Sequence, residues 1–132
     1  MKALPYLKKN RLTDVLWLLQ ILAIEDAAHR NIDTLYRMRP PLSAETWQEL
    51  AEEHPEIFRI ATGAGVEISL YVRHYNEGYQ RLSDDLTIKM IEFVLKIYTS
   101  QIEHSRWWTY LITAGGAFIG SLAALLIGTH IK

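Results

Sequence analysis

The amino-acid sequence predicts a mainly α chain with one β-hairpin, followed by a long helix that runs into a single transmembrane helix. Three observations predict it. Between residues 10 and 25, Leu12, Val15, Leu16, Leu19, Leu22 and Ala23 recur at the spacing of a helix face. Between 57 and 73 the pattern switches to a period of two on either side of Gly63 and Gly65. From Trp107 to Thr129 there is no Asp, Glu, Lys, Arg or His, and about 20 mostly apolar residues suffice to cross a hydrocarbon core of roughly 30 Å.

The elements follow in order. Residues 1–10 form a basic leader with Lys2, Lys8 and Lys9. Pro5 and the lysine pair interrupt its apolar content, so it does not have the form of a signal peptide. In the helix at 10–25, Trp17, Leu18, Ile21 and Ile24 carry the apolar surface almost all the way round, as in a helix buried on several sides. Glu25 to Met38 predicts a second helix through Ala28, Ile32 and Leu35, ended by Pro40-Pro41. Ser43 is the expected N-cap of a third helix over 44–54, with Trp47, Leu50 and Ala51 on its buried face and Pro55 at its end. Three residues beyond Ser43 stands Thr46 rather than Glu, so the capping box is incomplete.

Ile57 to Ala61 is β-prone, and Val66, Ile68, Leu70 and Val72 alternate with Glu67, Ser69, Tyr71 and Arg73, as in a half-buried strand. Thr62-Gly63-Ala64-Gly65 supplies a turn that tolerates positive φ. Residues 76–82 read as a polar linker. Ser83 then caps a helix with Asp84 and Asp85 in its first turn, where negative charge suits the helix dipole. No Gly or Pro occurs from Leu86 to Tyr110. Unbroken from 83 to 129, such a helix would measure about 70 Å at 1.5 Å per residue. Over 83–106 its apolar residues form two stripes, Leu86/Met90/Phe93/Ile97 and Ile91/Val94/Tyr98/Ile102. One is expected to pack on the hairpin domain and the other to meet a second chain.

Composition narrows the chemistry. Of 132 residues, about 105 remain outside the apolar segment, enough for one small domain and a connecting helix. A formal net charge of −1 provides no general attraction to nucleic acid or anionic lipid. The absence of cysteine removes disulfides, thiol catalysis and thiolate metal sites. The five histidines are scattered and form no His-x-x-x-His pair for zinc; His54, ahead of Pro55, reads as a helix-terminal residue. Gly63-Ala64-Gly65 lacks the Lys-Ser/Thr of a phosphate-binding loop. The expectation is a non-enzyme without cofactor or metal.

Helix, helix, helix and hairpin over 11–75 resemble the winged-helix arrangement, as does the passage Trp47-Gln48-Glu49-Leu50-Ala51-Glu52-Glu53-His54-Pro55-Glu56-Ile57-Phe58-Arg59-Ile60, which is similar to the helix-to-wing passage of small bacterial winged-helix proteins. The resemblance implies a binding module, often one for DNA. Arg37, Arg39, Arg59 and Arg73 are the candidate nucleic-acid contacts. Against that use, the third helix carries Glu45, Glu49, Glu52 and Glu53 with no Lys or Arg, and bases and phosphates are read by Arg, Lys, Asn and Gln. A protein partner is favoured.

In the apolar segment, Gly116, Gly120, Ala124 and Gly128 keep a four-residue register, the small-residue stripe that lets membrane helices approach closely. Arg106, Trp107, Trp108 and Tyr110 are the expected interfacial anchors. Lys89, Lys96 and Arg106 outnumber Lys132 beyond the span, which places the N-terminal domain in the cytoplasm. The expected protein is therefore a single-pass, tail-anchored, bacterial inner-membrane protein in contact with lipid. Its soluble domain binds a protein, and its span packs with another copy or another membrane protein. Two alternatives are a membrane-tethered nucleic-acid-binding regulator and a small bacterial stress or defence effector that perturbs the membrane.

Overall fold

A computed structural model describes residues 4–25, 27–74 and 81–106, which are mainly helical with a small three-stranded antiparallel sheet. The chain divides into two compact units, Met1–Tyr98 and Thr99–Lys132. In the first, a 3₁₀ turn at Pro5–Leu7 leads to helix α1, Arg11–Ile24. Of the expected apolar face of α1, Val15, Leu19, Leu22 and Ala23 are fully enclosed, as is Leu18 beside them, while Leu12 and Leu16 are half-buried. The helix starts at Asn10, whose φ of 64° is left-handed, and ends where Glu25 turns extended.

The second predicted helix is shorter than expected. Residues 29–31 form strand β1, His29–Asn31, and helix α2 covers only Ile32–Met38. The sequence around His29 has no strand pattern; β1 exists because its backbone groups complete the ladder along the hairpin, with His29 opposite Ser69 and Asn31 opposite Glu67. Asn31 then caps α2, its Oδ1 accepting from the Asp33 N–H at 2.8 Å.

Helix α3 spans Trp47–Glu53 and is capped by Thr46, whose hydroxyl accepts from the Glu49 N–H at 3.1 Å. Ser43, the expected cap, is engaged elsewhere: its hydroxyl donates to the Asp14 carboxylate at 2.6 Å and accepts from Arg11 Nε at 2.9 Å. Hydrogen bonds to charged groups are roughly twice as strong as neutral ones, so the helix begins at the next suitable hydroxyl.

Strands β2, Phe58–Thr62, and β3, Val66–Leu70, pair as the predicted hairpin, and the sheet order is β1-β3-β2. At its turn, a Cβ on Gly65 would lie 3.1 Å from Asn31 Nδ2, so a side chain there would press on β1. The second strand stops at Leu70, not Arg73. Beyond the Phe58–Leu70 pair β2 has ended, and Tyr71–His74 turns into a short helix, α4. Arg73 is thereby swung inward and fully buried. It donates to the carbonyls of Leu22 at 2.8 Å and Glu25 at 2.6 Å, closing the end of α1.

Residues 84–98 are helical (α5), with the Ser83 hydroxyl accepting from the Leu86 N–H at 3.2 Å. The two apolar stripes do not divide as expected. Leu86, Met90 and Ile97 from one join Ile91, Val94 and Tyr98 from the other to form a single packed face around fully buried Val94. Ile88, Phe93 and Leu95 remain outside at 53%, 43% and 40% exposure. Leu82, at the end of the predicted linker, is buried and its N–H bonds the Ala23 carbonyl at 3.2 Å.

In the second unit, residues 99–106 are helical. Among the described residues no helix is long and apolar enough to cross a membrane. The predicted span at 107–129, with Trp107, Trp108, Tyr110 and the Gly116/Gly120/Ala124/Gly128 stripe, lies outside the described residues.

Candidate functional site

Helix α3 has two unlike faces. Trp47, Leu50 and Ala51 are inside, while Glu49 and Glu52 are exposed, with Glu45 exposed just ahead of the helix. Gln48 Nε2 donates to Glu52 at 3.1 Å, and the Glu45 N–H to Glu49 at 3.2 Å. The outer face is therefore a row of carboxylates with no cation on the helix itself. Such a face repels phosphate and complements positive charge.

At the far end of α3, half-buried Glu53 meets the N-terminal segment and the head of α1. Glu53 pairs with Lys8 at 2.6 Å and with the guanidinium of Arg11, which is fully buried. Arg11 also reaches His54 Nε2 at 3.3 Å, and His54 Nδ1 lies 3.3 Å from Glu56. A guanidinium only donates, so Nε2 accepts and the ring proton sits on Nδ1, directed at Glu56. Tyr6 completes the cluster, its hydroxyl donating to Glu56 at 2.7 Å and its ring 4.4 Å from that of His54.

Partial burial works to raise Glu53 and Glu56. For Glu53 the hydrogen bonds from Lys8 and Arg11 outweigh it, and for Glu56 those from His54 and Tyr6 do, so both end below the usual carboxylate range. Burial and the neighbouring Glu56 push the Tyr6 phenol well above its ordinary value. Carboxylates held low in the folded state add stability that is complete above their unfolded pKa and lost as pH falls through the folded value. Melting temperature should accordingly drop from about pH 5 downward, and Glu53→Gln/Glu56→Gln should be less stable at neutral pH but lose less on acidification. An equally steep acid limb in the double variant would show that other groups set it.

A second polar cluster holds the α2–α3 connection. Fully buried Asp14 accepts from the Leu42 N–H at 2.8 Å, the Ser43 N–H at 2.7 Å and Arg39 at 3.1 Å, besides the Ser43 hydroxyl. Arg39 lies 5.4 Å over the Trp17 ring, which stacks on Trp47 at 5.1 Å, and Trp47 Nε1 donates to the Arg39 carbonyl. The loop thus fixed presents Leu42 at 60% exposure.

The four candidate arginines have different surroundings. Arg37 is exposed in the last turn of α2. Arg39 is tied to Asp14 and the tryptophans, and Arg59 is half-buried on β2 opposite Ser69. Arg73 is enclosed at the end of α1 and is not available to a phosphate backbone. His54 does end α3, but as a buried member of the Arg11–Glu56 cluster. Among the described residues no group of three or more His, Asp or Glu is placed to hold a metal. Tyr6, Arg11 and Asp14 belong to no recognisable motif in the sequence. Their one sequence signal is a charged pair three apart at the head of an otherwise apolar helix. Compared with known proteins, the chain matches no family model, no curated protein and no solved structure.

Proposed function

We propose that the chain is a non-enzymatic, single-pass membrane protein whose winged-helix-like domain binds a basic protein partner and whose apolar segment packs with another copy or a partner's helix. The observation that carries the partner's character is the acidic outer face of α3, with Glu45, Glu49 and Glu52 exposed and no cation on the helix. The order of three helices and a hairpin, with α3 set beside β2, supports the winged-helix resemblance. The apolar composition of 107–129 supports the anchor, and its glycine stripe supports packing between spans.

Three measurements on the full-length chain test the proposal. Alkaline extraction of membranes should leave it in the pellet, and release into the supernatant would overturn the anchor. In detergent, Gly120→Leu should reduce the oligomer mass, and an unchanged mass would overturn packing through the stripe. Duplex DNA should show no submicromolar, salt-sensitive binding; a steep salt dependence would overturn the protein-partner reading in favour of nucleic acid.

A further inference from the structure

The N-terminal segment 4–10 lies ahead of α1 as a strap whose side-chain anchors all reach far along the chain. Tyr6, only 1% exposed, bonds Glu56, and Lys8 bonds Glu53. The strap turns into α1 at Asn10, the one non-glycine residue with positive φ among the described residues, and the Asn10 side chain makes no capping hydrogen bond. Alongside the strap and the turn is a half-open pocket of about 340 Å³, lined by Tyr6, Lys8, Lys9, Leu12 and Tyr98 among others. The strap is thus held at its tip by side chains, and at its base the Arg11 N–H bonds the Lys8 carbonyl at 3.0 Å.

Turning Asn10 from left-handed to helical would remove an αL conformation, which Asn adopts more readily than other non-glycine residues. It would carry the segment ahead of it, with Tyr6 and Lys8, away from its own domain. The Tyr6 seat would then be open, with His54, Glu56 and Arg11 already held in place by their own contacts. Its best occupant is the segment that already fits it.

We infer that residues 4–10 exchange between two copies of the chain, with Asn10 as hinge and Tyr6 of each copy seated against His54 and Glu56 of the other. Exchange repeats every anchor contact and removes the left-handed turn, so the opposing term is the entropy of association; confinement in one membrane lowers that cost. The inference rests on the proposed anchor for that last point alone.

The chain contains no cysteine, so single thiols can be placed cleanly. Full-length Lys8→Cys and Glu53→Cys chains are mixed in detergent and treated with a short bis-thiol cross-linker. Exchange predicts a cross-linked heterodimer, raised about fivefold by Asn10→Ala, which tolerates the left-handed turn less well, and lowered by Asn10→Gly. Adding Tyr6→Ala to the Lys8→Cys chain should abolish the link. The double variant Lys8→Cys/Glu53→Cys on one chain reports that the strap site forms. If that variant links only within itself and the mixture gives no heterodimer, exchange is overturned. A link that survives Tyr6→Ala is collisional and also overturns it. Adding Gly120→Leu separates the two ideas: loss of oligomer mass from the span with the strap link retained supports exchange independently, whereas an oligomer that persists without any strap link leaves packing through the span standing and exchange overturned.

Discussion

Asp14→Ala should destabilise the first unit by about 3–5 kcal/mol, the range for removing one member of a buried ion pair. The loss has two parts. Arg39 gives up its carboxylate, and the N–H groups of Leu42 and Ser43 give up a common acceptor at 2.8 and 2.7 Å. Asp14→Asn is a demanding control. One amide oxygen cannot replace two carboxylate oxygens, and the NH₂ must face either Arg39 or the two backbone donors. It should therefore recover less than half of the loss. Urea unfolding of the full chain in detergent, followed by the near-ultraviolet circular dichroism of the stacked Trp17–Trp47 pair, gives the number. A loss below about 1 kcal/mol, the range of exposed pairs, would show that water replaces the carboxylate readily.

Val94→Asp should have an effect of similar size, about 4 kcal/mol or more, by placing an unpaired carboxylate in an apolar site. Val94 is the fully buried centre of the α5 face. The other residues of that face, such as Leu86 and Ile97, are only half-buried, so α5 should separate before the α1 and sheet core opens. Amide exchange is the readout: protection is expected to vanish over 84–98 while α1 and β3 keep theirs. Simultaneous loss everywhere would make α5 an integral part of the core. Val94→Ala, which removes two methyl groups without adding charge, should cost about 2 kcal/mol and leave the exchange pattern intact.

Periodicity made α1 and the hairpin legible because their burial follows their own side chains: Val15, Leu19 and Leu22 in one, Ile68 and Leu70 in the other. Where an element depends on a distant partner, the pattern fails. His29-Arg30-Asn31 becomes a strand only because β3 lies beside it. Ser43 stops being a cap because Asp14 and Arg11 claim its hydroxyl. The acidity of α3 could be seen directly, since exposed charges need no partner to be counted. The Tyr6–His54–Glu56 cluster could not, because Tyr6 stands 50 positions from Glu56 and none of the three belongs to a motif. Arg73 shows the same limit from the other side: alternation set it facing outward, whereas the chain turns at Leu70 and sends it inside.

That inward turn has a consequence for the order of events in folding. The carbonyls at the end of α1 receive their donor from a residue 51 positions later, and no basic residue in the last turn of α1 stands in for it. The clasp on the first helix is therefore in place only when the chain has turned at Leu70 and brought Arg73 inside. Closing so long a loop precedes the gain it brings, which slows folding and makes the unit cooperative. A shortened chain that stops anywhere before Arg73 would lack the clasp on its own first helix.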